Sequence, residues 1–208
     1  MPERRIQIAE AGARVLASRG VRALTHRAVD DELGLPTGST SYYARTRREL
    51  IDLIVVYLAQ RTRGELIPPR LPETLAPAVI ADLLVAALDD TAQRADEQRA
   101  RLLLLLEYHH DPDLRGGLVH RPEPFVATAS AVLELLDVAD PDGSGRDLVG
   151  LLDALLMQRI VHTAELDERE VLTAYLEGLP RADAGAARPG INPAATARDW
   201  LSRIRRTR

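Results

Sequence analysis

Between Thr25 and Arg47 the chain gathers side chains that can donate hydrogen bonds to a polyanion or to the edges of bases. Residues 24–50 read LTHRAVDDELGLPTGSTSYYARTRREL. Thr25 and Tyr43 bring hydroxyls, and Arg47 brings a guanidinium at the start of a helix, where backbone N–H groups also point outward. These three are the candidate phosphate contacts. Arg27 has the planar fork that pairs with guanine, a contact worth about 1–3 kcal/mol of discrimination. Ser39, Thr40, Ser41 and Tyr42 are the remaining candidates for base edges, although Thr40 can also face a core, and the rings of Tyr42 and Tyr43 can also be plain packing. Gly38 lets a backbone approach closely, and Thr37 beside it can cap a helix.

Such groups need a scaffold, and the same residues supply one. Thr25 is an N-cap for a short helix carrying Ala28, Val29 and Leu33, and Gly34 supplies the left-handed residue that ends it. Leu35-Pro36 cannot easily continue that helix. Thr37 then caps a second helix running through Gly38 to Tyr43. Thr46 and Glu49 have the spacing of a capping box ahead of the apolar run at Leu50. A helix, a tight glycine turn and a second helix rich in small polar residues form a helix-turn-helix, which sets its second helix in the DNA major groove. A first helix over residues 3–19 aligns Ile8, Ala11, Gly12, Val15 and Leu16 and ends at Gly20. Gly12 in mid-helix costs about 1 kcal/mol relative to Ala, so a close neighbouring helix is expected there. The core of this unit is expected to comprise Val15, Leu16, Val21, Leu24, Val29, Leu33, Leu35 and Tyr43. It is too small to stand alone and must lean on the helices C-terminal to it.

The net charge of −4 over 208 residues hides an asymmetry. Residues 1–50 carry 9 Arg against 6 acids, residues 51–192 carry 13 against 24, and residues 193–208 carry 5 against 1. A basic head on an acidic body turns one end toward a polyanion. The absence of cysteine excludes disulfides, thiolate metal sites and cysteine catalysis. The amino terminus lacks the apolar core of a signal peptide, and no apolar run reaches membrane-spanning length, so a cytoplasmic protein without membrane contact is expected. No phosphate loop, paired-carboxylate motif or Ser/His/Asp spacing stands out, and the reading is not an enzyme. Glu107, His109, His110 and Asp111 resemble a metal cluster in composition, but adjacent histidines on a helix diverge by about 100°. They are taken as solvated helix-end residues, with no metal and no cofactor expected.

The rest of the chain is helical in period. A helix from about 47 to 65, apolar on much of its circumference, connects head to body. IPPRLPET (67–74) is a break, followed by helices over about 75–96 and 98–110, the latter with five leucines at 102–106. Residues 111–124 read as a loop, 125–138 as a helix ended by DPDGSG (140–145), and 146–164 with 168–179 as an antiparallel hairpin. Residues 180–192 read as a mobile linker and 193–208 as a short basic helix containing Trp200 and Ile204. That Arg-rich end could reach DNA or remain solvated. Apolar faces at Leu84, Leu88, Leu104, Tyr108, Phe125 and Leu155, with His109 as a polar handle, are the candidate lining of a ligand cavity, although each such residue is more often plain core.

The matching residues Arg19-Gly20, Leu24-Thr25-His26-Arg27-Ala28-Val29, Gly34-Leu35, Gly38, Tyr43 and Thr46-Arg47-Arg48-Glu49-Leu50 resemble the tetracycline-repressor (TetR/AcrR) family of bacterial transcriptional regulators. The motif spans about the first 55 residues; beyond it the likeness is one of architecture. The resemblance implies an all-α protein with an N-terminal three-helix helix-turn-helix domain (1–46), a helical ligand-binding and dimerisation domain (47–179) and a C-terminal segment (180–208). It implies a repressor bound as a homodimer to a palindromic double-stranded DNA operator and released by a small apolar or amphipathic effector. A regulator of the same DNA-binding type with no inducer, controlled by a protein partner or its own abundance, is the alternative. The resemblance also implies pairing of subunits through the last long helices, here Leu148, Leu151, Leu152, Leu155, Leu156, Ile160, Val171, Leu172 and Tyr175. Thr37, Ser41 and Ala44 stand where the family often has a basic residue, an aromatic and Phe. These departures shift the expected base reading onto Arg27 and Tyr42 and leave open how the short helix is pinned.

Overall fold

The computed structural model describes residues 1–62, 76–118, 122–161 and 165–182. Ten α-helices appear among them: α1 (Glu3–Arg19), α2 (His26–Glu32), α3 (Ser39–Tyr43), α4 (Arg47–Thr62), α5 (Pro77–Ala92), α6 (Ala95–Glu107), α7 (Pro112–Leu118), α8 (Pro122–Leu135), α9 (Pro141–Val161) and α10 (Glu168–Gly178). A 3-10 turn at Val21–Ala23 links α1 to α2. The protein is all-α, with a single antiparallel bridge between Val138 and Arg181 among the described residues. No described helix is long and apolar enough to cross a membrane.

Two apolar cores organise the helices. The first joins Ile8, Val15 and Leu16 of α1 and Val29 of α2 to Leu50, Ile54 and Leu58 of α4, and continues into Leu104 of α6 and Leu114 and Leu118 of α7. The head therefore leans on the body, as its size requires, and this core straddles the 46/47 position. Of the expected head core, Val21, Leu33 and Tyr43 are only partly buried against it, and Leu35 is half-buried and no member of it. Gly12 is where α1 and α4 touch: a Cβ there would lie 2.6 Å from Ile54 Cδ1. The second core joins α5, α8, α9 and α10 through Ile80, Leu88, Leu133, Leu148, Leu155 and Leu172.

Several expectations need correction. Residues 112–118 are helical rather than loop, because Pro112 opens a helix and the Asp111 carboxylate accepts from the N–H groups of Asp113 and Leu114, both at 3.1 Å. Leu114 and Leu118, one turn apart, are buried. The DPDGSG segment begins α9 instead of merely ending a helix: Asp140 accepts from the Gly143 N–H at 2.9 Å, with Pro141 in the first turn. Gly145 inside that turn lets α8 come close, since a Cβ would sit 2.7 Å from Ser130 Oγ. The connector α4 agrees with expectation: between Leu50 and Leu58 it is buried on most of its circumference, with Val56 its exposed apolar residue. Pro180–Ala182, expected to begin a mobile linker, dock along the α8–α9 turn, with Ala139 N–H donating to Pro180 O and Ala182 N–H to Asp137 O. The proline-rich break at 67–74, the remainder of the linker and the basic helix at 193–208 lie outside the described residues.

The hairpin near the C-terminus is antiparallel, fixed by Tyr175 OH donating to Ser144 O at one end and the Arg159–Glu168 ion pair at the other. Its helices pack mainly elsewhere, α9 along α8 and α10 along α5. Consequently Leu148, Leu155, Leu156, Ile160 and Leu172, expected at a subunit interface, are buried in the chain's own second core. Leu151, Leu152, Val171 and Tyr175 pack against that core. The outward stripe of α9 is Gly150, Ala154, Met157 and Val161 instead.

Candidate nucleic-acid interface

The short helices are set by their caps. Thr25 Oγ1 accepts from the Ala28 N–H at 3.0 Å and starts α2, leaving its own hydroxyl proton free to donate. Gly34 ends α2 at φ 63°, and Gly38 precedes α3 at φ 95°, both in the left-handed region that favours glycine. Thr37, expected as the cap of the second helix, does not serve as one; it is exposed, and Gly38 holds the N-cap position. The N-terminal N–H groups of α3 are satisfied from beneath. Asp30, 1% exposed, accepts from the Gly38 N–H at 2.7 Å, the Thr40 N–H at 2.8 Å and the Thr40 hydroxyl at 2.6 Å. Burial pushes the Asp30 carboxyl up, but the Thr40 and Gly38 hydrogen bonds and the nearby His26 outweigh it and hold the group below the ordinary carboxylate value.

At the other end of α3, His26 Nε2 lies 2.8 Å from the carbonyl oxygen of Ala44. A carbonyl only accepts, so this nitrogen carries the proton. Ala44 is itself buried, which answers how the helix is pinned without the family's Phe. Arg5 also reaches the Tyr43 carbonyl, at 3.3 Å. Thr46 Oγ1 accepts from the Glu49 N–H, as a capping box requires, but the Glu49 carboxylate returns to the Arg45 N–H rather than to Thr46.

What remains outward defines the surface. Thr40 is fully buried and removed from base reading. The Ser39 hydroxyl donates to Pro36 O at 2.6 Å. Ser41 is exposed, and Tyr42, 83% exposed, projects with its ring edge-on to the half-buried Tyr43, centroids 5.1 Å apart. Arg27 is exposed one turn from Asp31, with its Nε 3.9 Å from that carboxylate. Arg47, expected to be free for a phosphate, instead donates to the carbonyl oxygens of Leu24 and Val21, tying α4 back to the 3-10 turn. Arg48 is held by Asp52 and Asp111. Arg22 and Arg45, which sequence reasoning missed, are exposed, and their guanidinium groups meet no carboxylate among the described residues. Asp30 and His26 were missed too; their signal was two polar residues four apart on one face of α2.

The candidate ligand residues do not converge on one place. Leu84, Leu88 and Leu155 belong to or pack on the second core, whereas Leu104 and Tyr108 belong with the first. Phe125 is half-buried on α8, and His109 is exposed, with Nδ1 2.9 Å from Leu106 O. His109 and His110 follow the end of α6 instead of lying on a helix, so their rings do not diverge as expected but lie 3.6 Å apart, while Asp111 is engaged by Arg48. Among the described residues no group of three or more His, Asp or Glu could hold a metal ion.

A family model described as "Tetracyclin repressor-like, C-terminal domain" matches residues 75–182. Among solved structures, a TetR-family regulator from Rhodococcus sp. superposes with a TM-score of 0.66 over 85% of this chain and 98% of that one, at 18% identity. That likeness speaks to the fold alone. A TetR-family member from Streptomyces coelicolor A3 is 26% identical, with a TM-score of 0.58 and coverages of 86% and 99%. The multidrug binding protein EbrR complexed with malachite green is 30% identical, with a TM-score of 0.58 and coverages of 86% and 99%. The same protein has been solved with proflavin and with ethidium. No curated protein matches the chain.

Proposed function

The chain belongs to the tetracycline-repressor family of transcriptional regulators, and from that premise we propose that it is a repressor that binds a near-palindromic operator as a homodimer and is released by a small molecule. The reading head is residues 1–46 and the regulatory and dimerisation body residues 47–179. The observation that carries the proposal is the outward set on and beside α3. Arg27, Thr37, Ser41 and Tyr42 project around a helix whose Gly38 and Thr40 donors are already held underneath by Asp30. Arg27, Ser41 and Tyr42 read base edges, while Thr25, Tyr43 and the exposed cations Arg22 and Arg45 supply phosphate contacts. A two-fold dimer sets the two reading helices about 34–36 Å, or a multiple of that, apart.

EbrR, solved with malachite green, proflavin and ethidium, supports a small apolar or amphipathic effector for this body as well. The effector favours a body arrangement whose half-site spacing no longer fits DNA, so DNA must weaken effector binding by the same factor. The second core around Leu84, Leu88 and Leu155 is the candidate seat. The subunits meet through the outward stripe of α9 rather than through its buried leucines. Selection from a random duplex pool, followed by footprinting, tests the reading: a protected near-palindrome is expected. Binding with no sequence preference at physiological salt would reject it. Thermal shift with the three dyes, and their release of bound operator, tests the effector.

A further inference from the structure

The reading helix α3 has five residues, too few to persist by its own hydrogen bonds. Arg5 of α1 reaches the Tyr43 carbonyl and Ala44 enters the first core, but both ends of α3 are gripped by side chains of one neighbour, α2. His26 and Asp30 stand four apart on α2, hence on the same face, and they hold opposite ends of α3. Asp30 takes the Gly38 and Thr40 N–H groups and the Thr40 hydroxyl, and His26 donates to Ala44 O. Three donors converge on one buried carboxylate, and charge-assisted bonds of this kind are shorter and stronger than neutral ones. With Asp30 and Thr40 at 1% and 0% exposure, water cannot replace either partner.

We propose that His26 and Asp30 are positioning residues for operator recognition: together they fix the pitch and register of α3, and through it the direction in which Ser41 and Tyr42 project. The inference rests on α3 being the reading helix. The geometry has two consequences. The Gly38 and Thr40 N–H groups are spoken for and cannot take a phosphate, so side chains around the helix must make those contacts. A loss at Asp30 also loosens the angle of Tyr42 without removing any group that touches DNA, so specific binding suffers more than general attraction to the polyanion, which is set by charge.

The test compares wild type with Asp30→Ala, Thr40→Val, His26→Phe and His26→Gln in the full chain. Affinities are measured for the selected operator and for a scrambled duplex of the same length, with amide hydrogen exchange on the free protein. Asp30→Ala should lower operator affinity at least tenfold while changing scrambled-duplex affinity less than twofold. His26→Phe should do likewise to a smaller extent, with His26→Gln restoring most of the loss through its side-chain N–H. In the free protein, Gly38 and Thr40 amides should lose protection in Asp30→Ala while Val15 and Leu16 keep theirs. Thr40→Val removes only one donor, leaves the core filled and should cost operator affinity several-fold, so it stands in if the alanine variant fails to fold. Parallel loss on both duplexes, or unchanged protection at Gly38 and Thr40, overturns the proposal. If wild type shows no operator preference, the repressor reading fails, and the exchange data alone then decide whether α2 positions α3.

Discussion

Gly12 and Ile54 leave no room for a methyl group between α1 and α4. A Cβ on Gly12 would lie 2.6 Å from Ile54 Cδ1 and 3.0 Å from its Cγ1, and Ile54 is wholly buried. Gly12→Ala gains about 1 kcal/mol in helix propensity. It loses about 1–3 kcal/mol to overpacking, so a net loss is expected. Ile54→Val deletes Cδ1 and alone should cost about 1 kcal/mol. Combined with Gly12→Ala it should instead restore stability, giving a coupling of about 1–2 kcal/mol in urea unfolding. Additive losses would show that the two helices separate easily and that the contact does not fix the head on α4.

Arg101 joins three helices from inside the protein. At 4% exposure, its guanidinium donates from α6 to Leu58 O on α4 at 2.9 Å and to Leu118 O at the end of α7 at 3.0 Å. At the other end of α7, Asp111 both caps the helix and binds Arg48 of α4. Arg101→Met keeps the apolar stem but removes the guanidinium donor from both carbonyls. A loss of about 3 kcal/mol is expected, from hydrogen bonds to a charged group of about 1.5–3 kcal/mol each. Arg48→Ala, at an exposed and solvent-screened pair, should cost far less. Equal midpoints for the two variants in chemical denaturation would refute this ranking.

The head was legible because its signals are local. Thr25, Gly34 and Thr46 act within four residues of their own positions, and the apolar stripe of α1 repeats at helical period. The grip of Asp30 on Gly38 and Thr40 spans eight and ten residues across a turn, where no local pattern links acceptor to donor. Asp111-Pro112 and Asp140-Pro141 were read as breaks because Pro and Gly come next. Pro is well suited to the first turn of a helix, where its missing N–H has no partner to lose, and the preceding Asp caps it. The leucines of α9 and α10 misled for another reason: a stripe buried within one chain and a stripe buried between two chains look alike in hydrophobicity. Only the packing of α9 on α8 and α10 on α5 shows which leucines are already used.

Acid should expose the role of the Asp30 carboxylate. Its folded pKa lies below the unfolded value of about 3.9, so the ionised form is the one folding favours. The stabilisation is complete well above that value and is lost as pH falls through it toward the folded pKa. Asp30→Asn cannot titrate, so its stability should fall less steeply than wild type below about pH 4, while lying beneath wild type at pH 7. Parallel acid limbs in pH-dependent thermal unfolding would mean that other carboxylates set the slope.

Salt dependence should separate the two neighbouring arginines. The Arg45 guanidinium is exposed and meets no carboxylate among the described residues, whereas that of Arg47 is committed to Leu24 O and Val21 O. If Arg45 neutralises one phosphate per subunit, Arg45→Ala should flatten the slope of log affinity against log salt by about 0.9 per subunit. Its unfolding midpoint should not move. Arg47→Ala should chiefly lower stability, by about 1 kcal/mol, through the lost carbonyl contacts. A reversal, with Arg47→Ala alone changing the slope, would mean that its guanidinium swings out to the phosphate on binding.

The subunit contact can be tested on α9. Gly150, Ala154, Met157 and Val161 are spaced by four, three and four residues, which places them within one narrow stripe of the helix. Met157 and Val161 are 43% and 53% exposed, large for apolar side chains, and Leu166 just beyond is 47% exposed. Gly150 and Ala154 are small enough for another helix to approach closely, and the buried leucines on the opposite face already hold α8. Met157→Glu with Val161→Glu should therefore yield a folded monomer in sedimentation velocity, with unchanged helical signal and with palindrome affinity reduced to that of a single half-site. Leu155→Ala should instead cost about 2–5 kcal/mol of fold stability, because it opens the chain's own core. A double-glutamate variant that still sediments as a dimer would move the subunit contact off this face of α9.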